Sequence, residues 1–208
     1  ELSCKGEPTT PRIIWGVEDI VLCAGKEKPF EFLQDVFDEV APLFPGEYIH
    51  IGGDECPKTS WKNCPLCQQR IRKEGLTADK NHSAEEKLQS YVIQRMEKYL
   101  ATKGKKIIGW DEILEGGLAP SATVMSWRGE EGGIAAANMG HEAIMTPGSG
   151  GMYIDQFQGD PKIEPVSIGG YDPLSRVYAY NPTPDTLVAT GKANLIKGVQ
   201  TNLWSEYM

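Results

Sequence analysis

The sequence predicts an α/β fold: a (β/α)8 barrel to which this chain contributes five strands. Three observations lead there. Short apolar runs alternate with amphipathic helical stretches along the 208 residues, and parallel strands need crossovers of that kind. Each run finishes in, or just before, polar or aromatic residues, on the face where barrels place their chemistry. Finally, Gly52-Gly53-Asp54-Glu55 lacks the spacing of the glycine-rich phosphate turn that marks an open doubly wound sheet.

Residues 1–29 read as a long loop, with Gly-Glu-Pro-Thr-Thr-Pro near the start and Gly25 and Pro29 at the end. Phe30, Leu33, Phe37 and Val40 recur at helical spacing, with Pro29 at the helix start and Pro42 and Pro45-Gly46 as its stop. Tyr48-Ile49-His50-Ile51 is a buried strand opening into Gly52-Gly53-Asp54-Glu55. Residues 56–83 form an irregular excursion. Ser83 and Glu86 then make a capping box for a helix whose inner stripe is Leu88, Val92, Met96 and Leu100.

Ile107–Glu112 is the next strand, finishing in an aromatic and two acids, and Ala122–Arg128 follows it, ending in Trp127-Arg128. Glu130–Met139 is a short Ala-rich helix, and Glu142–Met145 a fourth strand. Residues 148–184, rich in Gly, Pro and Tyr, are mostly loop; Leu187–Ala193 is a brief helix or turn. Ile196–Glu206 closes the set as a strand ending in Trp204 and Glu206. A barrel needs eight strands, so the expectation is one partial catalytic domain over residues 1–208, beginning partway round the fold. Such a piece would expose open sheet edges and invite self-association or domain swapping; the oligomeric state is not otherwise readable.

Composition narrows the function. Net charge is −8, from 21 Lys plus Arg against 29 Asp plus Glu, with no basic stripe, which argues against nucleic acid as a partner. No run approaches the roughly 18 apolar residues that would span a bilayer. No targeting leader is visible, which leaves the address open. Of five cysteines, Cys56, Cys64 and Cys67 include a Cys-Pro-Leu-Cys step resembling half a zinc knuckle. No second pair follows it, so a disulfide between Cys4 and Cys23 is the favoured expectation, with no metal and no cofactor.

The candidate catalytic pair is Asp54 and Glu55. Two glycines before them let the backbone turn, so neighbouring carboxylates can serve one pocket, one as proton donor and one ionised. An acidic surface loop is the bland alternative. Trp110, Trp127 and Trp204 stand at three strand ends and would wall a pocket with flat apolar faces that suit a pyranose, although core packing would explain any one of them. Asp111, Asp155 and Glu206 are acceptors for sugar hydroxyls; Glu112 would do the same or brace a loop. Tyr153, two residues before Asp155, is a donor for a ligand carbonyl. His50 reads as a hydrogen-bonded interior histidine, and His82 and His141 as exposed. No His pair has metal-ligand spacing, and no G-x-S-x-G elbow is present.

His50-Ile51-Gly52-Gly53-Asp54-Glu55 resembles the H-x-G-G-D-E signature of the family 20 glycoside hydrolases, the β-N-acetylhexosaminidases. Gly109-Trp110-Asp111-Glu112, Ser126-Trp127-Arg128-Gly129, Tyr153-Ile154-Asp155 and the run from Gly198 to Glu206 resemble the family in the same order. The resemblance implies roughly strands 4–8 of the barrel. It also implies retaining hydrolysis of terminal β-linked N-acetylglucosamine or N-acetylgalactosamine, with the substrate's 2-acetamido group as nucleophile and an oxazolinium intermediate. Glu55 would be the general acid/base and Asp54 would hold the acetamido N–H. Tyr153 would hold its oxygen, the three tryptophans would enclose the sugar, and Asp155 and Glu206 would take distal hydroxyls. The implied address is secreted, periplasmic or cell-surface. The family's first-strand Arg and third-strand Asp and His have no counterparts here, Arg12 being misplaced for the first, so the segment alone is expected to be inactive. Three other readings stand beside this one. They are a barrel glycosidase with a protein nucleophile such as Asp111 or Glu206, a non-catalytic carbohydrate-binding protein, and a cysteine-rich interaction domain.

Overall fold

The computed structural model describes every residue except Thr9 and Met208. Its contacts divide the chain into two compact units, Glu1–Ala122 and Thr123–Met208. Each is built from parallel strands and the helices that cross between them.

In the first unit, helix α1 (Lys28–Leu43) carries Pro29 in its first turn and buries Phe30. It also contains Pro42, which the sequence pattern assigned to the stop. Pro42 lies in the last turn, where it removes one intrahelical bond with little helix left beyond it, and the Phe44 N–H still reaches the Val40 carbonyl at 3.2 Å. Strand β1 (Tyr48–His50) follows. The excursion expected to be irregular holds two helices, α2 (Thr59–Asn63) and α3 (Pro65–Lys73). The five-residue length of α2 and the Pro65 that opens α3 hid them. Helix α4 (Ala84–Thr102) leads to β2 (Lys106–Trp110), which pairs in parallel with β1 through Tyr48↔Lys106, Ile49↔Ile107 and His50↔Ile108.

Helix α4 is the central support of this unit. Leu88, Ile93, Met96 and Leu100 are buried, while Val92, placed in the predicted stripe, is only half-buried. Its start is fixed as expected: Ser83 Oγ accepts the Glu86 N–H at 3.2 Å, and the Glu86 carboxylate accepts the Ser83 N–H at 2.5 Å. Near its end, the buried Glu97 accepts the Ser121 N–H and hydroxyl at 2.6 and 2.7 Å. The long N-terminal loop is tied to the helices by Glu27. Arg95 and then Arg70 hold its carboxyl at about 2, well below the usual range.

All five cysteines are free, so the expected Cys4–Cys23 disulfide is not formed. Both sulfurs are instead drawn toward the Cys64–Cys67 turn at the start of α3.

In the second unit, β3 (Thr123–Ser126), β4 (Ala143–Met145) and β5 (Ile196–Val199) form a parallel sheet in chain order, with a register shift between Ala143 and Ile144. The last predicted strand is therefore much shorter than Ile196–Glu206. Beyond Val199 the chain bends to make single bonds with the Met152–Ile154 loop. Helix α5 (Glu131–Asn138) lies so close to β4 that a Cβ on Gly133 would meet Met145 Sδ at 2.4 Å. Ser126 makes that approach polar as well as tight, donating to the Gly129 carbonyl at 2.7 Å and accepting the Gly133 N–H at 2.9 Å. Short helices α6 (Leu174–Ala179) and α7 (Asp185–Ala189) complete the unit.

Because Ser83 supplies one half of a reciprocal cap, Ser83→Ala is expected to destabilise the protein by about 1 kcal/mol. Urea unfolding checks this, and Ser83→Asp should recover most of the loss.

Candidate active site

The first unit gathers its candidate groups at the C-terminal ends of β1 and β2. Gly52 and Gly53 have φ of +72° and +96°, so the chain reverses sharply as it leaves β1. Space demands glycine here as well as angle. A Cβ on Gly53 would meet Ile113 Cγ2 at 2.6 Å, and a Cβ on Gly109 would meet the same methyl at 2.6 Å. The turn is pinned by its carbonyls: Gly52 O accepts the Trp110 N–H at 2.9 Å, and Gly53 O accepts Gln89 Nε2 at 2.7 Å. Lys58 donates in turn to Gln89 Oε1 and, at 2.7 Å, to the Cys56 carbonyl.

Glu55 follows with φ +43°, the one non-glycine in left-handed backbone among the described residues. That conformation costs an L residue roughly 1–2 kcal/mol and is found where a structure over-determines it. Asp54 and Glu55 are both exposed. They stand at the rim of a cavity of about 530 Å³ whose walls, including Leu33, Phe37, Val92 and Met96, are apolar. Those walls belong to α1 and α4, and the N-terminal loop from Arg12 to Ala24 lines the hollow too, together with the acid pair.

His50 is hydrogen-bonded as expected but is not interior. Its Nδ1 accepts the Gly52 N–H at 3.1 Å, and its ring packs 4.8 Å from Trp110, while much of its surface stays open. Partial loss of water pushes the imidazole below its ordinary pKa, against the pull of Asp54. Accepting at Nδ1 leaves the ring proton on Nε2. Trp110 is 9% exposed and Asp111 2% exposed, and Glu112 is also buried, so these three are far more enclosed than the acid pair.

The second unit gathers a separate set. Trp127 and Tyr153 stack with planes 12° apart and centroids 6.4 Å apart, and Trp204 stands edge-on to Tyr153 at 6.5 Å. Asp155, Trp204 and Glu206 line one cavity of about 340 Å³ together with Phe157, Val166 and Leu203. Burial, with Glu206 and Asp172 as further contributions, raises the Asp155 carboxyl above its ordinary pKa, and its Oδ1 is buried with no partner among the described residues. Glu206 itself is exposed.

Sequence reasoning missed the residue that fixes this aromatic set. Asn202 is 6% exposed; its Nδ2 donates to Thr146 Oγ1 at 2.7 Å, and its Oδ1 accepts Gln200 Nε2 at 3.0 Å. Its backbone bonds Met152 O and Ile154 N at 2.7 and 2.9 Å, on either side of Tyr153. An amide within an otherwise strand-like run was the available signal. Gln89 and Ile113 were missed too, being ordinary residues on a helix and beyond a strand.

Parallel βα units with carboxylates and indoles at the C-terminal strand ends are the ground plan of a β/α-barrel enzyme domain. The chain belongs to glycosyl hydrolase family 20: its residues 1–208 match the family's catalytic domain. It is 63% identical over its full length to a beta-hexosaminidase from Porphyromonas gingivalis, of which it covers 26%. It superposes on the X-ray structure of Flavobacterium johnsoniae chitobiase with a TM-score of 0.77 and 28% identity, over 99% of this chain and 29% of that one. It also superposes on a Vibrio harveyi exo beta-N-acetylglucosaminidase solved in complex with N-acetylglucosamine, with a TM-score of 0.74 and 28% identity, over 91% and 29% of the two chains. The α/β architecture is thus that of part of a family 20 barrel. The chain spans about a quarter of the length of the curated relative.

The strain at Glu55 separates two truncations that remove the same carboxylate. Glu55→Gly should be more stable than Glu55→Ala by about 1 kcal/mol, since only glycine relaxes at positive φ. Equal stability of the two variants in urea unfolding would show that the left-handed turn is not held in solution.

Proposed function

We propose that this chain carries the acid/base and sugar-holding residues of a retaining exo-β-N-acetylhexosaminidase, acting on glycans that end in β-linked N-acetylglucosamine or N-acetylgalactosamine. The observation that carries the reading is Glu55, held in a strained left-handed conformation at the tip of a His-Ile-Gly-Gly-Asp-Glu turn. Strain of that kind persists where geometry matters more than stability. Family membership and the N-acetylglucosamine complex of the Vibrio harveyi relative support the choice of sugar.

In the proposed reaction the substrate's acetamido oxygen attacks C1 as Glu55 protonates the departing glycosidic oxygen. A cyclic oxazolinium forms with its positive charge spread over the former amide. Asp54, ionised, accepts the acetamido N–H and balances that charge, while the Tyr153 hydroxyl donates to the acetamido oxygen. Glu55, now a carboxylate, takes a proton from water as it opens the ring, and two inversions at C1 give net retention. The tryptophans supply apolar faces for ring C–H groups and exclude water, and Asp155 and Glu206 accept distal hydroxyls. Pre-orienting an internal nucleophile is worth several kcal/mol, with an upper range of roughly 7–11 in the best intramolecular reactions. The reaction therefore needs no opposed protein nucleophile. The 208-residue segment alone is proposed to be inactive or nearly so, because the family's first-strand Arg is not among its residues.

In the full-length enzyme, Glu55→Gln should lower kcat for p-nitrophenyl N-acetyl-β-glucosaminide roughly 10²–10⁴-fold, the ordinary worth of acid–base catalysis. A thiazoline mimic of the oxazolinium should inhibit the parent enzyme tightly. Full activity in the Gln variant would favour a carbohydrate-binding role, and indifference to the thiazoline would favour a barrel glycosidase with a protein nucleophile.

A further inference from the structure

Four of the five cysteines meet at one point. Cys4 comes from the N-terminal loop, Cys23 from the end of that loop, and Cys64 and Cys67 from the first turn of α3. Their four sulfurs all lie within 4.8 Å of one another. Cys4–Cys67, Cys23–Cys64 and Cys23–Cys67 are 3.7, 3.8 and 3.7 Å apart. A disulfide requires about 2.05 Å, so no pair is bonded. Four thiolates at about 2.3 Å from a tetrahedral Zn²⁺ stand about 3.8 Å from each other, which these three pairs match. One ion fits among sulfurs this close, whereas a cluster of several irons would hold them further apart.

The backbone around the sulfurs is shaped for the same purpose. Cys4-Lys5-Gly6 and Cys23-Ala24-Gly25 each lie within a tight turn, with the Gly6 N–H reaching Ser3 O and the Lys26 N–H reaching Cys23 O, both at 3.2 Å. The two strands carrying them touch through a Ser3↔Leu22 bridge. Gly25 lies against the third element so closely that a Cβ would meet the Leu66 carbonyl carbon at 2.3 Å and the Cys67 nitrogen at 2.4 Å. Cys23 and Cys67 are fully buried, with Trp61, Ile71 and Leu88 closing the cluster from water. Such a closed set, with no position left for substrate, is the form of a structural site.

We infer that Cys4, Cys23, Cys64 and Cys67 bind one structural zinc ion that ties the N-terminal loop to α3. The ion would secure more than the loop. Trp61 Nε1 donates to Leu22 O at 2.9 Å, so the pinned loop braces α2, which follows the Asp54–Glu55 turn within a few residues. The sequence pattern concealed the site because its second ligand pair lies upstream of Cys-Pro-Leu-Cys and is itself split by eighteen residues.

The test uses the full-length enzyme produced without a polyhistidine tag. Elemental analysis should give one zinc per chain, and a mercurial titration should release it, read with a chromogenic chelator, as the four thiols react. Replacement by Co²⁺ should give thiolate-to-cobalt charge-transfer absorption and strong tetrahedral visible bands. Cys67→Ser should lose the zinc and the cobalt bands, while Cys56→Ser, outside the cluster, keeps both. If Cys67→Ser does not fold, the parent enzyme's release stoichiometry and cobalt spectrum decide. Zinc well below one per chain with all thiols titrating freely, an intact mass showing two disulfides, or stoichiometric iron would each overturn the assignment.

Discussion

A single methyl group governs the geometry of the acid turn. Ile113, fully buried just beyond β2, fills the space above both Gly53 and Gly109, so neither strand end tolerates a side chain there. With that volume taken, Gly53 has no room for a side chain; it and Gly52 turn at positive φ, and their carbonyls are captured by Gln89 and Trp110. Glu55 inherits its left-handed conformation from this arrangement. The link runs from packing to backbone: a core residue with no polar atom sets where the Glu55 carboxyl stands.

The second unit reaches a comparable end by polar means. Its site-bearing loop has almost no regular structure, so no full strand positions Tyr153, which meets Asn202 through a single parallel bridge. Asn202 does so instead, with its amide spent on Thr146 and Gln200 and its backbone on both neighbours of Tyr153. A buried amide with its hydrogen bonds satisfied is rigid, because every alternative rotamer strands a polar group away from water. The stacked Trp127 and edge-on Trp204 then take their orientation from a tyrosine that is already fixed. Asp155 is held less comfortably. Burial raises its pKa, and its Oδ1 has no hydrogen-bond partner among the described residues.

The order of the strands, the capping box of α4 and the Gly52-Gly53 turn were legible in the sequence because each rests on a local pattern of a few residues. Period, caps and Gly-Gly turns are short-range signals. What escaped depended on contacts between distant positions. Helices α2 and α3 are short and interrupted by Pro65, so their pattern lacked a full period. The strand expected to run to Glu206 ends at Val199, since its later residues bond a loop rather than a neighbouring strand. His50 was read as interior from its apolar neighbours, yet exposure of one side chain in a strand depends on what faces it, which period alone does not specify. The cysteines are the extreme case: the Cys4–Cys23 pairing looked natural along the chain and gave way to a three-segment meeting in space.

These features share a reason. The first unit carries its chemistry on segments with little secondary structure of their own, over the N-terminal loop and the residues between β1 and α4. Hydrophobic burial alone fixes such segments poorly, because it is non-directional and tolerates sliding. Directional links are needed, and the chain places them at intervals: the Glu27 network onto Arg70 and Arg95, the Trp61 indole onto Leu22, the relay from Lys58 through Gln89 to Gly53, and the four sulfurs. Each joins a loop to α3 or α4 or to a neighbouring loop, and α4 is itself anchored at both ends by Ser83–Glu86 and Glu97–Ser121. Strain at Glu55 is tolerable only in such a frame. An unbraced turn would relax the left-handed residue for a gain of a kcal/mol or so and misdirect the carboxyl. The acid's position is therefore a property of the whole braced unit, and its most distant brace is the cysteine cluster.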